Sequence, residues 1–180
     1  KRLKIKIIRP NINICFADFK AEKNKIIYAL SAIKSVGFEA ISNVINERNK
    51  NGKFKSLEDF ISRVNPKDIN KLQLEGLVKA GAFDDLCADR SSLFHSIPKL
   101  IQTNKSNWEE KNSMQTNLFQ NNTDINLEKF NLIKNEKWKE NDVLMNEFHS
   151  IGFYMSDHPL KVYEKYLKEK KIISFNEFMK

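Results

Sequence analysis

The chain is 180 residues long and carries 31 Lys and Arg against 23 Asp and Glu, a net charge of +8, with 41% apolar residues. That composition supports a buried core in about one and a half domains and points to a polyanionic partner. No apolar run reaches the length of a membrane span, and no basic start leads into a signal-like apolar segment, so the expectation is a cytoplasmic protein with no membrane partner.

Cys15 and Cys87 lie far apart with no C-x-x-C, and His95, His149 and His158 are as scattered, which predicts free thiols and neither a metal site nor another cofactor. Lys1 in place of Met makes a piece of a longer polypeptide the expectation. Charge is unevenly placed: residues 1–83 hold 17 basic against 8 acidic side chains, 84–160 hold 8 against 12, and 161–180 hold 6 against 3. A basic first part followed by a mildly acidic one suggests that only the first faces the polyanion. A biased base composition would enrich Lys and Asn, but would not by itself create the asymmetry.

Leu3, Ile5 and Ile7 alternate with Lys4 and Lys6, the pattern of a half-buried strand ended by Arg9-Pro10. Residues 14–19 and 26–28 flank a polar stretch, 20–25, and predict a β-hairpin. Between Leu30 and Ile45, apolar residues at Leu30, Ile33, Ala40, Ile41, Val44 and Ile45 follow helical spacing, and Lys34-Ser35-Val36-Gly37 interrupts it. The expectation is helix, tight hairpin, helix. Gly37 would take positive φ, and the amides opening the second helix would form an anion site.

That stretch resembles the helix-hairpin-helix motif of proteins that grip duplex DNA by its backbone, with Val36, Gly37 and Ala40 matching and Ser35 standing where the motif has glycine. An ordinary helical corner is the bland alternative. Helix-hairpin-helix DNA glycosylases are an enzyme alternative, although Glu39 occupies their lysine position and their iron-sulfur subgroup needs four cysteines.

Asn51-Gly52 should stop the helix, and Ser56 with Asp59 should cap another that Asn65-Pro66 closes. A helical run from Lys71 to Lys79 again meets glycine, at Gly81. Shifted by 44 residues, Leu30, Ile33 and Gly37 fall on Leu74, Leu77 and Gly81, a weak repeat that predicts a second, degenerate hairpin unit. Asp84 or Asp89 would cap the next helix, with Leu93, Phe94 and Ile97 before Pro98. Residues 103–126 are polar and nearly without apolar periodicity, and predict a mobile linker. Phe130, Leu132 and Ile133 suggest a short helix, and Trp138 to Ile151 a longer one with Val143, Leu144 and Phe148 inward and Gly152 as its stop. Ser156 or Asp157 would cap a basic helix behind Pro159, with His158 more suited to capping or packing than to acid-base work. No catalytic constellation stands out.

R-P-N-I-N at 9–13, A-I-K-S-V-G at 32–37, F-K-S-L-E-D-F at 54–60, L-V-K-A-G-A-F-D at 77–84 and I-G-F-Y-M-S-D-H-P-L at 151–160 resemble, in order, segments of the C-family replicative polymerases, the alpha subunits of bacterial DNA polymerase III. Asp157 departs from the glycine usual before His-Pro. The resemblance implies a mainly α fold: short strands and a hairpin at the end of the fingers (1–28), a tandem helix-hairpin-helix domain (29–102), a linker carrying a clamp-binding peptide (103–126), helices leading to an OB-fold (127–171) and the start of the next domain (172–180). It also implies non-specific duplex DNA and the other holoenzyme subunits as partners, and a sliding clamp bound through Gln115, Leu118 and Phe119. The catalytic aspartates and magnesium would belong to the parent polymerase, outside this chain. The expected DNA-binding set is Lys34, Ser35, Val36, Gly37, Lys50, Lys53, Lys71, Lys79 and Gly81.

Overall fold

Three polar residues that precede apolar helical patterns each start a helix. Ser56 Oγ accepts from the Asp59 amide at 3.2 Å, Asn70 and Gln73 bond each other's backbone amides at 3.0 and 2.7 Å, and Asp89 accepts from the Ser92 amide at 3.1 Å. Each satisfies amides that a helix start leaves without partners. The computed structural model describes residues 5–114, 130–170, 172 and 178. Its helices are α1 (Phe38–Asn51), α2 (Leu57–Arg63), α3 (Lys71–Lys79), α4 (Arg90–Met114), α5 (Glu140–Ile151) and α6 (Glu164–Glu169). Strands β1 (Lys6–Ile8), β2 (Lys20–Glu22) and β3 (Lys25–Ile27) form one small sheet, so the fold is mainly α as expected.

In the sheet β3 is central, parallel to β1 and antiparallel to β2. The hairpin lies inside the stretch expected to be its polar turn: Lys20–Glu22 is a strand, and Lys23, at φ 45°, begins the turn. Residues 11–15 curl instead, with the Ile14 and Cys15 amides donating to the Asn11 carbonyl. Arg48 fixes that curl from α1. Its guanidinium, 5% exposed, donates to the carbonyls of Ile12 and Cys15 at 2.7 Å each, and burial pulls its pKa below the ordinary value.

Leu30 and Ile33 are fully buried, but the segment before the hairpin is a single 3-10 turn, Leu30–Ala32, where a helix was expected. The Phe16 and Ala17 carbonyls take the amides of Leu30 and Ser31, and these bonds to the N-terminal segment hold the turn without a longer helix. At the centre of the core Phe60 meets Phe54 and Phe83 edge to face, with centroids 5.0 Å away in both pairs, beside Leu74, Leu77, Leu93 and Ile97.

The helix expected to end at Pro98 runs on to Met114, and residues 103–114, expected as linker, are helical. Tertiary bonds hold this extension: Asn104 Nδ2 donates to the Ile61 and Val64 carbonyls at the end of α2, and Lys111 Nζ to the Ser62 carbonyl. Pro98 lies inside this helix and is exposed. Residues 130–139 are not helical. They run extended along α4, antiparallel to it: Lys99 Nζ donates to the Asn131 carbonyl, the Ile133 and Asn135 amides donate to Ser96 Oγ and Ser92 Oγ, and Ser91 Oγ donates to the Glu136 carbonyl.

Helix α5 turns Leu144, Glu147 and Ser150 inward, whereas Phe148 is 41% exposed and stacks on Tyr154. Gly152 ends it in the left-handed conformation, at φ 93°. The next turn, Pro159–Tyr163, is capped by His158, whose Nδ1 accepts from the Leu160 amide. Ser156 is unavailable for that task because its amide and hydroxyl both donate to Glu147. Among the described residues no helix is long and apolar enough to cross a membrane.

Candidate nucleic-acid interface

The first hairpin, residues 33–37, stands at the N-terminus of α1 with Lys34, Ser35 and Gly37 exposed. Ser35 carries the left-handed conformation, at φ 69°, in the place where the motif has glycine. Gly37 is instead the N-cap of α1, at φ −74° and ψ 140°, an angle any residue adopts. The expectation of positive φ at Gly37 is therefore corrected. Opening the helix there leaves the amides of Gly37, Phe38, Glu39 and Ala40 without intrahelical partners, the arrangement that receives a phosphate. Glu39 is exposed in the same turn, and its carboxylate favours the helix while opposing an anion at that end.

The hairpin is held from behind on both sides of Lys34. Its amide donates to the Ser150 carbonyl of α5 at 2.8 Å, and its carbonyl lies against Gly76 of α3, where a Cβ would come within 2.6 Å of the oxygen. Val36 does not face outward: its side chain is buried and its amide donates to the Ile33 carbonyl at 3.0 Å. Lys34, Ser35 and the α1 amides thus form the surface, and Val36 anchors it.

A left-handed serine costs on the order of 1 to 2 kcal/mol, partly offset by the extra freedom glycine has in the unfolded chain. Ser35→Gly should therefore raise stability by up to about 1 kcal/mol and the melting temperature by roughly 2 to 4 °C. Calorimetry on the two proteins measures this. A lower melting temperature would mean that the hydroxyl, not the backbone, decides the residue.

The second hairpin does not reach the surface. Ala80, Ala82 and Phe83 are each at most 3% exposed, the Gly81 amide donates to the Val78 carbonyl, and the Ala82 carbonyl accepts from Ile12. Gly81 has φ 77°, and a Cβ there would fall 2.1 Å from Arg90 Nη2. Arg90 thus covers the glycine expected to meet a phosphate, which removes Gly81 from the interface. The left-handed residues of the two hairpins, Ser35 and Gly81, correspond with each other, so the repeat aligns with an offset of 46 residues where 44 was expected.

Arg90 bridges two carboxylates, the exposed Asp84 and the buried Glu147. It meets Asp84 through two bonds of 2.7 and 2.6 Å and Glu147 Oε1 at 3.3 Å. Burial pulls the guanidinium pKa down, but the two carboxylates outweigh it and hold the value above the ordinary one. Glu147, 1% exposed, also accepts from the amides of Met155 and Ser156 and from Ser156 Oγ.

The expected lysines are dispersed. Lys34, Lys50, Lys53 and Lys71 are exposed, while Lys79 is partly buried with Nζ 4.9 Å from the Phe94 ring centre. Lys34 stands in the hairpin before α1 and Lys50 in the last turn of α1. Lys71 opens α3, 3.8 Å from Glu75. Gly76, Arg90, Glu147 and Ser150 went unread in the sequence. Only Gly76 had a local signal, a glycine inside a helical pattern. Gln115, Leu118 and Phe119 lie outside the described residues. Among the described residues no three His, Cys, Asp or Glu side chains are grouped to hold a metal ion.

Residues 4–93 match the helix-hairpin-helix motif family, and the chain belongs to that family. Beyond the motif, nearly the whole chain is similar to DNA polymerase III subunit alpha from several bacteria. The subunit of Caulobacter vibrioides is 32% identical over 99% of this chain, that of Borreliella burgdorferi 36% over 92%, and that of Rickettsia prowazekii 40% over 79%. These matches span only 16%, 15% and 12% of the respective relatives.

Proposed function

We propose that this chain is the DNA-gripping and clamp-tethering part of a bacterial replicative polymerase, the DNA polymerase III alpha subunit. The observation that carries the DNA reading is the first hairpin, whose exposed Lys34 and Ser35 lead into the unpartnered amides of α1. Such contacts position a duplex without reading its sequence. Nucleotidyl transfer through two magnesium ions would be the work of the parent subunit's catalytic region, and the other holoenzyme subunits would be its partners.

Four exposed lysines, Lys34, Lys50, Lys53 and Lys71, set the expected salt response. Neutralising about four phosphates gives a slope of log K against log salt of roughly −3 to −4. Titrating unrelated duplexes at several salt concentrations should return that slope with equal affinities. A flat response, or strong preference for one duplex, would remove the reading.

The clamp tether rests on Gln115, Leu118 and Phe119, an apolar pair in a polar stretch. A partner's pocket burying Leu118 and Phe119 gains about 1.5 to 3 kcal/mol per side chain, and the Gln115 amide would fix register. Ordering the segment costs part of this, so micromolar affinity is expected. Replacing both apolar residues with alanine should abolish clamp binding and leave the melting temperature and duplex binding unchanged. A markedly lower melting temperature would make the pair part of the core instead.

A further inference from the structure

One turn of α5 touches both hairpins. Ser150 accepts the Lys34 amide of the first through its carbonyl, and three residues earlier Glu147 pairs with Arg90, which lies over Gly81 of the second. The Ser150 carbonyl is one of the last four of α5, which the helix leaves without intrahelical partners, and Glu147 stands one turn before it. Glu147 also accepts from the Met155 and Ser156 amides through Oε2 and from Ser156 Oγ through the same Oε1 that meets Arg90, which ties it to the chain leaving α5. α3 completes the arrangement: it leads directly into the second hairpin, and its Gly76 receives the Lys34 carbonyl of the first.

The peptide groups flanking Lys34 are thus clasped between α3 and α5, immediately before Ser35 and its left-handed φ of 69°. A single residue in a disfavoured conformation persists only where its surroundings over-determine it. The clasp does this. The Lys34 amide is already occupied by the Ser150 carbonyl, so α5 selects which hairpin amides remain for an anion.

We infer that Glu147 is a positioning residue for the duplex-binding surface: through Arg90 it seats α5 so that Ser150 holds the first hairpin in its phosphate-receiving shape. No contact between Glu147 and DNA is involved. The consequence for DNA rests on the duplex-binding reading above, whereas the clasp itself does not.

The test uses the 180-residue chain with Glu147→Gln, which keeps the size of the side chain and removes its charge. Site-resolved amide hydrogen exchange should show the Lys34 amide speeding up about tenfold or more, with the Val44 and Phe60 amides in α1 and α2 unchanged. Duplex affinity at fixed salt should fall several-fold, and the salt slope should shallow by about one as a phosphate contact is lost. Ser156→Ala, which removes one donor to Glu147, should do the same more weakly and serves if Glu147→Gln fails to fold.

Unchanged exchange at Lys34 in a folded variant would overturn the inference, as would uniform acceleration of all core amides, which marks mere loss of stability. If the unmodified chain binds no duplex, the proposed DNA function fails, and exchange at Lys34 still decides whether the clasp exists.

Discussion

Gly81→Ala should lower stability by about 3 to 5 kcal/mol, a larger effect than alanine at any other glycine of the hairpins. Two costs combine. The residue must hold φ 77°, and its Cβ would fall 2.1 Å from Arg90 Nη2 and 2.6 Å from Arg90 Cζ. A free arginine would swing aside, but this one is tied to Asp84 and Glu147, and displacing it leaves the Glu147 carboxylate buried without its charge partner. For a chain of this size the melting temperature should drop by roughly 10 °C. Gly37→Ala provides the contrast: a Cβ there would sit 3.6 Å from Gln73 Nε2, an ordinary contact, so its cost should stay within about 0.5 kcal/mol. Calorimetry on both variants measures the difference, and equal melting temperatures would show that Arg90 yields its place freely.

Arg48→Met should cost about 2 to 4 kcal/mol although it fills much of the same volume. The guanidinium is buried and, among the described residues, forms no ion pair with a carboxylate; its bonds are to two backbone carbonyls, Ile12 and Cys15, that the curl at residues 11–15 takes out of water. Methionine leaves both acceptors unsatisfied, and each orphaned carbonyl costs about 1 to 3 kcal/mol. Removing the charge recovers part of its desolvation cost, which keeps the total below the sum. Chemical denaturation should show a lower midpoint with an unchanged slope, and accelerated exchange should be concentrated at the Cys15 and Ile12 amides. A midpoint equal to that of the parent would mean that the N-terminal curl holds itself.

What the sequence revealed was what short-range chemistry decides. Ser56 and Asp89 announce helices because a cap and its amide lie three residues apart, and Gly52 and Gly152 stop helices through their own φ, whereas the Asn70 cap of the same kind went unread. The helix over residues 103–114 was illegible because its support is Asn104 and Lys111 finding the end of α2, some forty residues earlier in the chain. Residues 130–139 were misjudged for the same reason: their partners are hydroxyls on α4, whereas the apolar spacing of Phe130, Leu132 and Ile133 mimics a helical turn.

The candidate site divides in the same way. Lys34, Ser35 and Gly37 lie at the surface as the motif predicts, but motif identity assigned the left-handed angle to the glycine it could see and not to Ser35. Gly81 looked like a second contact because a weak sequence repeat aligned it with Gly37, whereas its conformation matches that of Ser35. What takes it inside is Arg90, and Arg90 is held there in part by Glu147, 57 residues away.

The hydroxyl row on α4 works as a vernier. Four residues of the helix rise about 6.0 Å, while two residues of an extended chain rise about 6.6 Å, so two such rulers laid side by side drift apart by about 0.6 Å at each step. Ser96 with Ile133 and Ser92 with Asn135 are one such step on both scales, a misfit the two hydroxyls absorb in bonds of 2.7 and 3.2 Å. Beyond them the misfit is taken up differently at the two ends. Lys99 spans it toward Asn131 with a long side chain, and Ser91, one residue out of the row, meets Glu136. These four bonds together set the register of residues 131–136. A segment sliding by one residue would turn its amides away from the hydroxyls, and α5 would arrive out of step with the hairpins it clasps.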